Sequence, residues 1–514
     1  MPRYAAVDIG SNSVRLEVAE TVQGAPPRIL ASEREVTRLG ASVFRGGRIS
    51  QEALEFLTRI LTGFAAQFRK LEVDATRAVA TSAVRDASNQ QEFLARTSAA
   101  LGVNVEVISG QEEARLIHAG VQMRWPHPRR RVLIVDIGGG SAEIILSNDQ
   151  RTEVSISKQL GALRLNEVFL RSDPPRDRDL HRMEEYIEGR IATTVRRVQK
   201  VLGNSGIDRV IATSATAAAV VCAINRIPRQ RRDDADRMRA ATSHLRKLYG
   251  DLSHSSLLDR QKIVGIGPRR AEIIIPGCAV LLRTLENLRL PALYYSAAGV
   301  RDGIIADLTE RRVLNQSLEL SEERRAVIED LAQHYSVPLK HGRHTGRTAI
   351  ELFHALTLLH RLPPPFSALL EAAGYLHDVG HYISDTRHHK HSFYLVSNSE
   401  MPGFDERERG IIANLCRYHR KAGPLPEHAD WQTLDSEARR VVLYLTPLLR
   451  LADSIDRNRD QRVERVASTV RDADVLIELA SSRDIDLEIW ATERNGEFFR
   501  QVYGRPISVR SVAL

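Results

Sequence analysis

One stretch of this sequence occurs twice. Residues 4–18 read YAAVDIGSNSVRLEV, and residues 132–146 read VLIVDIGGGSAEIIL. Each copy is an apolar run ending in aspartate, a turn of small residues, and a second apolar run. A repeat of this kind implies two copies of one supersecondary unit. Asp8 falls on Asp136, and Gly10, Ser11, Asn12 and Ser13 fall on Gly138, Gly139, Gly140 and Ser141. The alternation of Val14, Leu16 and Val18 predicts a half-buried strand after the first turn. Glycines and small polar residues let a backbone approach a ligand closely and aim N–H groups at it. Such donors suit phosphate oxygens. An aspartate beside each turn can hold Mg²⁺ against the bound phosphate. Two such turns facing one another would clamp a phosphate chain.

The remaining bulk properties narrow the class only a little. A chain of 514 residues is too long for one core and predicts about three or four domains. With 43% apolar and 27% charged residues it is an ordinary globular composition. The net charge of +8 suits a polyanionic ligand, though no specific nucleic-acid site is expected. Cys222, Cys278 and Cys416 are scattered, which argues against a disulfide framework or a cysteine zinc site. The start, MPRYAAVDIG, has no long apolar core, and no apolar run of about 18 residues occurs. A cytoplasmic protein without a membrane span is the expectation.

The paired DIGSNS and DIGGGS loops resemble those of the actin, sugar kinase and heat-shock 70 superfamily. The longer strings DIGSNSVRL and VDIGGGSAEI resemble, more narrowly, the exopolyphosphatase / guanosine pentaphosphate phosphohydrolase (Ppx/GppA) family. The resemblance implies an α/β, actin-like (ASKHA) N-terminal half of two duplicated lobes, 1–131 and 132–313, and an enzyme that cuts terminal phosphoanhydrides with Mg²⁺. Residues 76–86, TRAVATSAVRD, run from an apolar strand into a turn at Thr81 and Ser82. The family pattern makes Arg85 a phosphate ligand, for which a planar two-pronged fork is suited. In VNVEVISGQEEARLIHAGV, Ser109 and Glu112 fit a capping box. Glu113 is then the residue that the family pattern assigns as general base, orienting water and accepting its proton. Glu143 shares a strand face with Ser141 and, by the same resemblance, holds metal with Asp136 and Asp8. Ser214-Ala215-Thr216 replaces a segment that is glycine-rich in the family, and Asp302 stands where a glutamate is common. The basic stretches 124–131 and 227–240 read as solvated faces or as steering charge for a polyanion.

From about 314 to 471 helical spacing dominates and histidines concentrate. The string LEAAGYLHDVGHYIS contains the adjacent pair His377-Asp378, preceded by His344 and followed by Asp453. This order resembles the HD phosphohydrolase superfamily and implies an all-α HD-type domain. Imidazole and carboxylate are ordinary ligands for a divalent transition metal. His389, His391 and His419 are further candidates for a second metal. Residues 472–514 alternate again, at Val475, Ile477, Leu479, Ile485, Leu487 and Ile489, and Asn495-Gly496 signals a hairpin. A small terminal β element is expected there, and the resemblance implies a homodimer.

Polyphosphate or guanosine pentaphosphate is the expected substrate. Three other readings compete: an HD-centred nucleotide hydrolase, a sugar or acid kinase on the same fold, and a non-catalytic polyanion-binding scaffold.

Overall fold

Each repeat folds as an antiparallel strand pair whose turn carries the small residues. In the first, β1 (Arg3–Ile9) pairs with β2 (Val14–Glu20), with Asp8 opposite Arg15. Its sheet is completed by β3 (Arg28–Glu35), β4 (Ala75–Ala80) and β5 (Val105–Val107), in the order β3-β2-β1-β4-β5. In the second, β6 (Arg131–Ile137) pairs with β7 (Ala142–Asn148), with Asp136 opposite Glu143. There β8 (Arg151–Lys158), β9 (Arg209–Thr213), β10 (Arg239–Ala241) and β11 (Ala292–Tyr295) extend the order to β10-β11-β9-β6-β7-β8. The first strand of each repeat also pairs in parallel with a later strand, β1 with β4 and β6 with β9. Parallel pairing needs a long crossover. The chain between them supplies it as helices, Gln51–Lys70 in the first case and Asp177–Leu202 in the second.

These elements are those of a computed structural model that describes residues 1–22, 25–149, 151–314 and 320–513. The chain divides into two units, 1–310 and 311–514. Among the described residues no helix is long and apolar enough to cross a membrane.

Helix Val300–Leu314 packs Ile304 and Ile305 with Tyr4, Ala6 and Val79 of the first sheet and with Leu116, while Val300 also packs with Val132 and Ile134 of the second. Glycines at the crossing make this approach possible. A Cβ on Gly303 would lie 1.8 Å from the Leu116 carbonyl oxygen, and one on Gly120 would lie 2.4 Å from that of Gly299. The capping box is also only half present. Ser109 Oγ accepts the Glu112 N–H at 3.1 Å, but the Glu112 carboxylate turns to Arg77 and Arg115, because ion pairs in a buried setting outcompete one backbone N–H.

In the second unit, helices Leu339–Ala355, Phe366–Leu376, Glu406–Tyr418 and Ser436–Ile455 enclose a core including Leu352, Leu370, Ile412 and Leu445. The terminal β element starts earlier than expected, at β12 (Arg465–Val470), and continues through β13 (Val475–Ala480) and β14 (Ile507–Val512). The hairpin at Asn495-Gly496 does not form. Strands β13 and β14 are parallel, so the chain between them must cross over, and helices Asp486–Arg494 and Gly496–Tyr503 do so. Phe499 of the second helix is buried in the same core as Ile477 and Leu479. The β element is therefore part of the helical unit's core.

Candidate active site between the repeated loops

The two turns are closed alike. Gly10 N–H donates to the Ser13 carbonyl at 3.1 Å, and Gly138 N–H to that of Ser141 at 3.0 Å. This corrects the expectation that Gly10 and Gly138 offer their amides to phosphate, since those N–H groups are consumed within the turns. The next carbonyls face away, toward neighbouring chain. Ser11 O accepts from Gly40, Asn12 O from Thr37 and Arg38, Gly138 O from Ala162, and Gly139 O from Leu163 and Arg164. In a planar trans peptide the N–H points opposite to the C=O. The amides of Asn12, Ser13, Gly139 and Gly140 are accordingly directed the other way, as donors for an anion.

The loops touch. A Cβ on Gly139 would stand 3.1 Å from Ser11 Cβ and 3.2 Å from Asn12 N. One on Gly140 would stand 2.6 Å from both Ser11 Oγ and Ser82 Oγ. Glycine is required here by contact between the copies. Arg164 fastens the junction, donating to the Gly140 carbonyl at 2.7 Å and to Ser82 Oγ at 3.0 Å and pairing with Asp86.

Four carboxyls meet beside these turns. Burial raises the pKa of Asp8, against the pull of Arg15, Arg301 and Arg34. Burial likewise raises Asp136, whose carboxylate accepts a hydrogen bond from Thr213 Oγ1. Glu143 is raised well above the usual carboxylate range by burial and then by Glu113 and Asp136. Burial pushes Glu113 up to about 7, with Arg85 opposing and Asp8 and Asp136 adding to the rise. Glu143 Oε1 accepts from Ser157 Oγ at 2.7 Å, while its buried Oε2 has no hydrogen-bond partner. An unpartnered buried carboxylate oxygen among like charges is the setting that a hard divalent cation relieves.

Arg85, expected as a phosphate ligand, stands beside Glu113. Both its terminal nitrogens donate to Glu113 Oε2 at 3.1 Å, and one also donates to the Ile108 carbonyl at 2.7 Å. Its fork thus holds the Glu113 carboxylate in place. The Ser214 turn follows Thr213 directly, and Ser214 takes φ +80°, a left-handed conformation that glycine adopts without strain. Asp302 is structural: it accepts the Gly299 N–H at 2.8 Å and pairs with Arg124.

Sequence reasoning missed an arginine group. Arg15 is the repeat counterpart of Glu143, so one strand pair offers a cation where the other offers a carboxylate. Arg34 and Arg270 are pushed down, to about 10 and about 9, by desolvation and then by crowding among themselves, Arg15 and Arg232. Guanidinium does not deprotonate at such values near neutrality, so the crowding marks a place that favours an anion. Arg15 was visible in the motif, seven residues after Asp8. Arg232 lies in the basic stretch 227–240 and Arg270 farther along the chain, and no spacing connects them to it.

In the second unit the histidine set differs from expectation. His377, Asp378, His419 and Asp453 do come together. His344 and His391 are replaced by His341 and His388, each three residues earlier on the same helix. His341 and His344 share a helix face, so spacing alone could not choose between them. The hydrogen bond from His341 Nδ1 to Asp456 at 2.8 Å selects His341, whereas His344 Nδ1 lies beside Arg347. His381 joins the group, and His389 lies outside it.

Residues 17–312 match the Ppx/GppA phosphatase family, and residues 324–488 match Ppx/GppA phosphatase domain III. A Pseudoalteromonas atlantica protein named guanosine-5′-triphosphate,3′-diphosphate pyrophosphatase is 28% identical over 455 residues, 87% of this chain and 85% of its own. A protein of the same name from Aeromonas salmonicida is 28% identical over 80% of both chains. Among solved structures, the Aquifex aeolicus Ppx/GppA family member is similar with a TM-score of 0.52 at 27% identity, covering 60% of this chain and 98% of that one. An exopolyphosphatase from Cytophaga hutchinsonii has a TM-score of 0.55 at 25% identity, with the same coverage. The likeness supports the actin-like arrangement of the first unit.

Proposed function

The chain belongs to the Ppx/GppA phosphatase family and is a phosphoanhydride hydrolase, and we propose that it removes the 5′-terminal phosphate of guanosine-5′-triphosphate,3′-diphosphate at the site between the repeated loops. The observation that carries this reading is the meeting of amide donors from both loops with Glu113 and its carboxylate neighbours. Asp136, Glu143 and Asp8 fit a divalent cation by their oxygen donors and the unpartnered Glu143 Oε2, and Mg²⁺ would be their ligand. When bound, it would neutralise phosphate charge.

The chain's own groups then have distinct tasks. The amides of Asn12, Ser13, Gly139 and Gly140 hold the terminal phosphoryl oxygens. Glu113 accepts a proton from the attacking water, held in place by Arg85. Water forms a new P–O bond to the terminal phosphorus as the bridging P–O bond breaks, and the shortened nucleotide departs with the electron pair on its former bridging oxygen, leaving the terminal group as inorganic phosphate. The crowded arginines, Arg15, Arg232 and Arg270 among them, balance the charge of the substrate's remaining phosphates. No covalent intermediate is needed, and each cysteine is buried. None of these groups reads a nucleobase, so polyphosphate is a second candidate substrate, in keeping with the Cytophaga exopolyphosphatase.

The test is phosphate release from guanosine pentaphosphate and from long polyphosphate, each with Mg²⁺. We expect release from at least one substrate, its abolition by chelation with recovery on adding Mg²⁺, and a loss of about 100-fold or more in Glu113→Ala. Equal turnover by variant and parent would reject Glu113 as the base. Release that depended on His377 and not on Glu113 would favour an HD-centred hydrolase, and tight phosphate binding without turnover would favour a scaffold.

A further inference from the structure

Two arginines and two carboxylates form a closed, buried ring behind the proposed base. Arg77 stands on β4, Glu112 and Arg115 on helix Gly110–Arg124, and Asp307 on helix Val300–Leu314. Arg115 donates through Nε to Glu112 Oε2 at 2.8 Å, and through Nη2 to Glu112 Oε1 at 3.0 Å and Asp307 Oδ1 at 2.7 Å. Arg77 closes the ring, donating to Asp307 Oδ2 at 2.9 Å and to Glu112 Oε1 at 3.0 Å. It also donates to Glu106 of β5 at 3.1 Å. Each of the four ring side chains is at most 8% exposed.

A buried ring of this kind is a poor source of stability. Taking charges out of water costs about as much as their mutual attraction returns, and apolar side chains of similar volume hold elements together as well. Its distinguishing property is direction. Arginine–carboxylate bonds through a planar fork have defined lengths and angles. The aliphatic contacts beside it, among Val79, Leu116, Ile304 and Ile305, hold the helices without fixing one position. The ring therefore sets where the first turns of helix Gly110–Arg124 stand on β4 and on helix Val300–Leu314.

Glu113 is on the first of those turns, next to Glu112. The glycine crossing grips the helix farther along, at Leu116 and Gly120. From Gly120 back to Glu113 is about two turns, roughly 10 Å, so a pivot of about 6° would move the base by about 1 Å. A displacement of that size costs up to about 100-fold in rate. Arg85 holds the carboxylate itself, and the ring holds the backbone that carries it. The same turn abuts the carboxylate group: a Cβ on Gly110 would stand 2.4 Å from Ser157 Cβ, and Ser157 Oγ donates to Glu143 at 2.7 Å. The two adjacent glutamates are held in opposite states. Against the cost of burial, Arg115 and Arg77 keep the Glu112 carboxyl below its usual range, while burial lifts Glu113 to about 7. Glu112 thus stays ionised while the base gains and loses its proton.

We propose that Asp307, together with Arg77, is a positioning residue of the hydrolysis: through Glu112 and Arg115 it sets the register of helix Gly110–Arg124, and so the place of the Glu113 carboxylate. This rests on Glu113 being the base.

The test is a double-mutant cycle in the full chain with Mg²⁺, on whichever of guanosine pentaphosphate and long polyphosphate the parent cleaves faster. Asp307→Asn keeps the shape of the side chain and removes its charge. It should lower kcat about tenfold or more with KM unchanged, because the loop amides and crowded arginines that hold the phosphates lie on other elements. In Glu113→Gln the same substitution should change the residual kcat by less than about twofold, since no base is left to misplace. An equal loss in both backgrounds, a loss carried by KM, or a kcat equal to the parent's in Asp307→Asn would overturn the positioning role. A kcat equal to the parent's in Glu113→Gln would instead reject the base, and this inference with it. If far-UV circular dichroism shows that Asp307→Asn does not fold, Arg115→Lys, which keeps the charge and gives up the fork, takes its place in the cycle with the same outcomes.

Discussion

At the scale of single residues, Glu113 carries the largest consequence. A general base acts only when ionised, and burial holds this carboxyl near about 7. As pH falls through that region the protonated fraction grows and the rate declines, approaching tenfold per pH unit; above it the rate levels off. A cation on Asp136 and Glu143 would offset the neighbouring negative charge and draw the limb lower. A pH profile of kcat/KM should therefore show an acid limb at or below about 7, and the residual activity of Glu113→Gln should lack it. Ser214 offers a separate test. A serine at φ +80° is strained by about 1 kcal/mol relative to glycine. Ser214→Gly should raise stability by about that amount, read as a higher urea midpoint, because the strain relieved exceeds the weak 3.3 Å bond from Thr216 N–H that is lost.

At the scale of elements, the helix crossing at Gly303 ties the site to the first sheet. Helix Gly110–Arg124 carries Glu113 at its N-terminal end, and helix Val300–Leu314 lies across it with Gly303 against Leu116. The obstacle to a larger residue is backbone, which cannot swing aside as a side chain can. Gly303→Ala should destabilise the protein by about 3 kcal/mol. It should also lower kcat, because separating these helices moves Glu113 from the loops. Thermal melting and phosphate release on one preparation check both effects. Unchanged values would mean that the crossing is more yielding than its 1.8 Å contact indicates.

At the scale of the molecule, the cores are separate. The clusters around Leu133, Ala5, Tyr4 and Ala114 lie within residues 4–308, and the cluster around Leu352 within 320–509, with no described residue shared. Units with their own cores unfold on their own terms. Calorimetry of the full chain should resolve two transitions. Glu113→Ala should leave the second where it is, because the residue belongs to the first unit's core region.

The repeat at 4–18 and 132–146 was enough, on its own, to establish the duplicated strand pairs, the loops and the placing of Asp8, Asp136 and Glu143, because strand alternation and glycine turns are local properties. The His377-Asp378 pair was legible as an adjacent motif, through its resemblance to the HD phosphohydrolase superfamily. What only the tertiary structure decided depends on contacts between distant segments. The arginines drawn from three regions, the attachment of helix 300–314 to the first sheet, and the turning of Arg85 to Glu113 leave no periodic trace in sequence. The choice of His341 over His344 and of His388 over His391 belongs here too: both members of each pair satisfy the helical spacing, and only neighbouring oxygens and carboxylates from other helices select between them.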